Sequence, residues 1–283
     1  MTSHDDTFRL AGVMGWPIAH SRSPLIHNHW LQAQGLRGTY VPLAVPPERL
    51  ERALRALHPL GFAGVNLTVP LKTSALRIVD RLDEAAAAIG AVNTVVVEGN
   101  GQLEGRNTDA FGFVASLREA RPDSDFSRGP AGVLGAGGAA RAVVFGLKEA
   151  GVPRIRVLNR TPARAEALAA DMGETVSAHP WEDREAILSD AALVAQTTSL
   201  GMQGHEPLEL RLNDLPRDAL VCDIVYAPRR TALLDAARGR GNPTVEGLGM
   251  LLHQARPAFA AWFGVLPAVD PALRALLDVS LPG

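Results

Sequence analysis

VLGAGGAARA, Val133 to Ala142, is the stretch on which the fold turns. A β-run ends at Gly135, small residues follow at Ala136, Gly137, Gly138, Ala139 and Ala140, and a helical pattern begins at once. A strand that breaks into a glycine turn and then a helix aims the helix's first amides at one point in space, where an anionic phosphate can sit. A single glycine fingerprint is a weak signal. Here it is followed by Gly151 at the helix end and by a second strand, RIRVLN, Arg154 to Asn159, at the spacing of a βαβ dinucleotide unit.

Downstream, helix ARAEALAADMG and strands TVSA, ALVAQTT, ALVCDIVY and PTVEG continue the alternation, which requires right-handed crossovers and a parallel sheet. Upstream, RLAGVMG, PLIHNHWLQAQG, TYVPLAV, ERLERALRALHPL and FAGVNLTV read as βαβαβ. An alanine-rich helix and a hairpin turning at Asn100-Gly101 come next. RPDSDFSRGP, Arg121 to Pro130, has too many breakers for an element and reads as a linker. The expected fold is α/β with two domains, an N-terminal α/β substrate domain and a Rossmann-like, doubly wound nucleotide domain. The expected boundaries are 1–107, 108–246 and 247–283. The last segment, GLGMLLHQARPAFAAWFG, is too apolar to stand alone and is expected to return to the first domain.

At the end of the second strand, where an NAD site places a carboxylate for the ribose hydroxyls, the chain has Asn159-Arg160-Thr161, with Arg164 one helical turn on. A guanidinium there can pair with a 2′-phosphate, whereas cations at a helix N-terminus are misplaced unless an anion arrives. The turn therefore selects NADP over NAD.

With 283 residues, 47% of them hydrophobic, the chain can bury its own core, and a net charge of -2 gives no long-range field for nucleic acid or an anionic membrane. The N-terminus MTSHDDTFRL lacks an apolar leader, and no run approaches the ~18 apolar residues of a membrane span. A soluble, cytoplasmic protein with a small-molecule partner, monomeric or homodimeric, is expected. The single cysteine, Cys222, lies in an apolar strand and reads as a packed thiol. No metal-ligand pattern is present in the sequence, since His27 and His29 point different ways from one helix.

The first domain must supply the reaction. GWPIAHSRSPLIHN places Ser21 and Ser23 two apart, where two hydroxyls can grip a carboxylate, and Ser23 before Pro24 is also placed to cap a helix. GVNLTVPLK puts Asn66 and Thr68 on one face and presents Lys72 from a proline turn. AVNT and GRNTDAFG add Asn93, Thr108 and Asp109.

Together with GAGGAARA, NRTPARA, TTSLGM, DIVYAP and EGLGMLLHQA, these stretches resemble the shikimate dehydrogenases, in order and correctly spaced from about Val13 to Ala255. The resemblance implies an NADP-dependent oxidoreductase that interconverts 3-dehydroshikimate and shikimate in aromatic amino acid biosynthesis. It makes Lys72 and Asp109 the catalytic pair, gives the substrate carboxylate to Ser21, Ser23 and Tyr226, and gives the ring hydroxyls to Thr68, Asn93, Asp109 and Gln254. Gly247 falls near the nicotinamide. Two departures from the family's usual pattern, Ala227 after the tyrosine and Ser199 in TTSLGM, are on the cofactor side. The alternatives are an NAD-using quinate/shikimate dehydrogenase and a catalytically dead NADPH-binding regulator. A glutamyl-tRNA reductase is excluded, because it needs a nucleophilic cysteine in its first domain and none precedes Cys222.

Overall fold

The computed structural model describes residues 8–280; the N-terminal residues 1–7 read above, and residues 281–283, lie outside them. By internal contacts the described chain divides into two units, one running to Thr108 and resumed by Gln254–Asp278, the other Asp109–His253.

The first unit runs β1 (Arg9–Gly15), α1 (Ser23–Ala33), β2 (Gly38–Ala44), α2 (Leu50–Arg55), β3 (Phe62–Leu67), β4 (Arg81–Leu82), α3 (Glu84–Ile89), β5 (Thr94–Val97) and β6 (Leu103–Arg106). Its mixed sheet has the order β2-β1-β3-β5-β6-β4. β1 is parallel to both β2 and β3, and β5 is antiparallel to β3 and β6. The β5–β6 hairpin closes as its composition predicts: Gly101, at φ 86°, donates its N–H to Glu98 O, and the Asn100 side chain accepts the Gln102 N–H. Helix α3 is capped at both ends, by Asp83 Oδ1 on the Ala86 N–H at 2.6 Å and by left-handed Gly90.

The second unit opens with α4 (Asp109–Ala120). It continues through β7 (Ala131–Leu134), α5 (Gly138–Glu149), β8 (Ile155–Asn159), α6 (Pro162–Met172), β9 (Val176–Pro180), α7 (Arg184–Ile187), β10 (Leu193–Gln196), β11 (Leu220–Asp223), α8 (Ala232–Arg240) and β12 (Thr244–Glu246). All its strands are parallel, in the order β12-β11-β10-β7-β8-β9. The order reverses at β7, the strand that carries the glycine turn, as in the doubly wound dinucleotide fold. Because side chains alternate along a strand, Val133, Val157, Ala195 and Cys222 pack into one core layer and Leu134, Leu158, Val194 and Val221 into the other.

Helix α9 (Gly247–Phe263) passes from the second unit into the first, and α10 (Pro271–Ser280) follows it. Within the first unit the Trp262 indole donates to Val95 O at 3.1 Å, and Trp30 to Ala268 O at 2.9 Å. A Cβ on Gly64 would lie 2.2 Å from Trp262 Nε1, so this strand position stays glycine to admit the indole.

Two local expectations need correction. Phe126–Arg128 form a 3₁₀ turn inside the stretch read as an unstructured linker, because Asp125 accepts the Ser127 N–H and stabilises it. The strand read through Tyr226 stops at Asp223, whose side chain takes the Val225 N–H that would have extended the ladder.

Candidate functional site

In the first unit, strand register gathers the polar residues. Met14 pairs with Leu67, Asn66 with Thr94, and Thr94 with Arg106, so the ends of β1, β3 and β6 and the start of β5 share one edge of the sheet. The segments that leave this edge carry Ser21 and Ser23, Thr68 and Lys72, Asn93, and Thr108. Backbone bonds fix them there: Thr68 N–H to Met14 O, Val92 N–H to Lys72 O, and Asn93 N–H to Arg106 O.

Asn93 is buried, and its Oδ1 accepts the Thr108 N–H at 2.9 Å and the Thr94 hydroxyl at 2.9 Å, while Nδ2 donates to Thr108 Oγ1 at 3.0 Å. The Thr108 backbone donor fixes the amide's orientation, since a flipped Asn93 would oppose two N–H groups. Asn66 spends both Nδ2 hydrogens, on Asn93 O and Thr94 Oγ1, so its Oδ1 receives the Tyr40 hydroxyl at 2.7 Å. Tyr40 also bonds the Ser23 side chain, and burial pushes its phenol above the usual tyrosine range despite that bond. Sequence reasoning missed Tyr40 because its partners come from distant strands.

Ser23 does not cap α1. It is the first helical residue, Arg22 in the cap position already has φ -91° and ψ -7°, and no side chain caps there. A capping side chain needs an extended backbone to turn back on the helix, and Arg22 has a helical one. Ser21 Oγ instead accepts the Ser23 N–H at 3.3 Å, so the weak turn-stabilising role falls to the serine read as purely ligand-binding.

In the second unit the glycine turn lies at the carboxyl edge of the sheet. Gly135 has φ 112°, which favours glycine, and a Cβ there would lie 2.7 Å from Thr197 Oγ1. Gly137 and Gly138 differ: a Cβ on either meets no atom within 4 Å. Protein packing does not demand glycine at these two positions, and the space beside them at the N-terminus of α5 is open. At the end of β8, Asn159 Nδ2 donates to Thr161 O at 2.9 Å and shapes the turn. Arg160, Thr161 and Arg164 are exposed, the Thr161 hydroxyl caps nothing, and neither arginine forms an ion pair among the described residues. Such a set of exposed donors could hold an anion.

Asp109 is buried in the first turn of α4, and Lys72, Tyr226 and Gln254 are partly buried. A Cβ on Gly247 would lie 2.3 Å from Ile224 O, so glycine there is required by packing against the end of β11. Burial pushes the Cys222 thiol up, which leaves it inert. Among the described residues no cluster of three or more His, Cys, Asp or Glu could hold a metal, and no helix is long and apolar enough to cross a membrane.

Family models for the shikimate dehydrogenase substrate binding domain, the shikimate / quinate 5-dehydrogenase and the shikimate 5′-dehydrogenase C-terminal domain match residues 13–95, 119–225 and 247–277. The chain belongs to the shikimate dehydrogenase family. A family member from Rhodospirillum rubrum, shikimate dehydrogenase (NADP(+)), is 57% identical over 271 residues, covering 94% of this chain and 96% of its own. The Thermus thermophilus shikimate 5-dehydrogenase, solved with NADP(H) and shikimate, superposes with TM-score 0.86 at 39% identity over 96% of this chain and 100% of that one. A quinate dehydrogenase from Corynebacterium glutamicum, solved with NAD, superposes with TM-score 0.89 at 32% identity over 96% and 100%. The family contains both substrate preferences, so the site's own residues must decide between them.

Proposed function

We propose that the protein is an NADP-dependent shikimate dehydrogenase of the cytoplasm, monomeric or homodimeric, which interconverts 3-dehydroshikimate and shikimate. The observation that carries this reading is the placement of Ser21, Ser23, Thr68, Lys72 and Asn93 on segments leaving one edge of the first sheet.

Ser21 and Ser23, with Tyr226, offer hydroxyl donors to the substrate carboxylate. Thr68, Asn93, Asp109 and Gln254 take the ring hydroxyls. Because Asn93 Oδ1 is committed inward, its ligand contact runs through Nδ2. NADPH, when bound, supplies a hydride to the ketone carbon. The developing alkoxide then needs a proton, and Lys72 provides it, with Asp109 orienting it. In the oxidative direction Lys72 takes the proton back. The turn of Gly135, Ala136, Gly137, Gly138 and Ala139 would hold the pyrophosphate. Asn159, Arg160, Thr161 and Arg164 would hold the 2′-phosphate, and Gly247 would lie near the nicotinamide.

The test is purified protein with shikimate or quinate, each crossed with NADP or NAD, followed by absorbance of the reduced cofactor. Shikimate with NADP is expected to be turned over fastest. Preference for quinate with NAD would replace this reading by the quinate alternative, and no turnover in any combination would favour the inactive regulator.

A further inference from the structure

Asp223 ends β11 with a buried carboxylate that the proposed chemistry does not use. Both of its oxygens are engaged: Oδ1 accepts the Val225 N–H at 3.0 Å, and Oδ2 accepts the Thr231 hydroxyl at 2.7 Å. Thr231 is in turn the N-cap of α8, receiving the Leu234 N–H at 3.4 Å. One carboxylate thus ties the end of β11 to the start of α8, and residues 226–230 loop out between the two tied groups, Val225 and Thr231. That loop carries Tyr226.

Two further contacts brace it. Ala227 O accepts the Gln203 N–H at 3.0 Å, and Gly247 packs so closely on Ile224 and Val225 that a Cβ would meet their carbonyl oxygens at 2.3 and 2.6 Å. Burial raises the Asp223 carboxyl to about 6 even though both hydrogen bonds favour its charged form. A buried carboxylate costs stability unless its bonds do something a neutral residue could not. Here both partners are donors, and the carboxylate gives each of them an oxygen of its own.

We propose that Asp223 is a positioning residue for substrate binding: by fixing both ends of the 225–231 segment, it holds the Tyr226 hydroxyl where the substrate carboxylate meets it. This rests on the assignment of Tyr226 to that carboxylate. Asp223 touches no reacting atom and acts only through the loop.

The experiment measures kcat, the KM for shikimate and thermal stability in Asp223→Asn, Thr231→Val, Thr231→Ser and Tyr226→Phe, each alone, and in Asp223→Asn combined with Tyr226→Phe. Asp223→Asn keeps the size and one acceptor but leaves the Thr231 hydroxyl proton without its carboxylate. It should raise KM about two- to ten-fold, the range of one neutral hydrogen bond, with a smaller change in kcat. Its melting temperature at pH 8 should not fall, since an amide is cheaper to bury than an ionised carboxylate. A residue that only supported the fold would lose stability instead. Thr231→Val should raise KM similarly, Thr231→Ser should keep it near normal, and Asp223→Asn should add nothing in the Tyr226→Phe background.

Additive KM effects, or a normal KM in Asp223→Asn, would overturn the proposal while leaving Tyr226 in its role. A normal KM in Tyr226→Phe alone would remove the assignment on which the proposal stands, and the proposal with it. Should Asp223→Asn fail to fold, the Thr231→Val and Thr231→Ser pair decides the matter, because only the hydroxyl distinguishes them in the tie to Asp223.

Discussion

His27 should set the acid stability of the first unit. Its ring is fully buried in α1, and neither nitrogen has a hydrogen-bond partner among the described residues. It stacks on Tyr40 with centroids 4.1 Å apart and planes 3° apart, and Trp30 and Trp262 each lie 5.7 Å away. Burial lowers its pKa from 6.5 to about 3. For a base whose folded pKa is depressed, the unfolded chain takes up the proton first. The stability from keeping His27 neutral is therefore complete above pH 6.5 and is lost as pH falls from 6.5 toward 3.

The slope approaches 1.36 kcal/mol per pH unit below 6.5, so about 2 kcal/mol should disappear between pH 7.5 and pH 5. His27→Phe keeps a ring against Tyr40 and removes both unpartnered nitrogens. At pH 7.5 it should be as stable as the wild type or up to about 1 kcal/mol more so, the relief of buried polar atoms being offset partly by the larger ring. At pH 5 its advantage should widen by the further ~2 kcal/mol. Contributions from carboxylates elsewhere are common to both proteins and cancel in the difference. The assay is equilibrium urea unfolding at the two pH values, followed by the fluorescence of Trp30 and Trp262, which surround the site. If wild type and variant lose stability in parallel between pH 7.5 and 5, then His27 is not held neutral by burial and the reasoning fails.

Lys72→Ala should lower kcat about 100-fold or more with a modest change in KM, as loss of a general acid does; near-normal turnover in the folded variant would dismiss Lys72 as proton donor. Arg160→Ala should raise the KM for NADP roughly ten-fold or more and leave that for NAD nearly unchanged, and adding Asn159→Asp should move preference further toward NAD. Equal losses for both cofactors would show that the arginine only solvates a helix start. Ser21→Ala and Ser23→Ala should both weaken shikimate binding, and neither should cost the ~1 kcal/mol of a lost helix cap, because no side chain caps α1. A drop of that size in Ser23→Ala, measured by urea unfolding, would restore the capping role.

What the sequence made legible was whatever is encoded within a few residues or by a period. The strand, glycine turn and helix at 131–149, the Asn100-Gly101 hairpin and the placement of Arg160 and Arg164 around the start of α6 are of this kind. What it hid depends on register between distant segments. The Tyr40–Asn66 bond joins β2 to β3, and Asp223 meets Thr231 only after a loop whose path no local propensity sets. Ser23 was misread for a smaller reason of the same type. A Ser-Pro pair is a good cap locally, but the backbone at Arg22 is already helical, so α1 starts too early for that cap.

The glycines show how far the distinction matters for experiment. Gly247 and Gly137 both read as cofactor-binding, yet their surroundings are opposite. A Cβ at 247 would lie 2.3 Å from Ile224 O and 2.6 Å from Val225 O, so Gly247→Ala must displace the end of β11 before any ligand is present. Its loss of activity would say nothing about nicotinamide. Gly137 has φ -89° and ψ -172°, a conformation alanine adopts freely, and its Cβ would meet no protein atom within 4 Å. Gly137→Ala should therefore fold with wild-type stability and still bind NADP more weakly, because the added methyl occupies the path by which a pyrophosphate reaches the amides of α5. Unchanged NADP affinity in that variant, measured by titration of the purified protein, would mean that the turn does not bring its backbone against the phosphates.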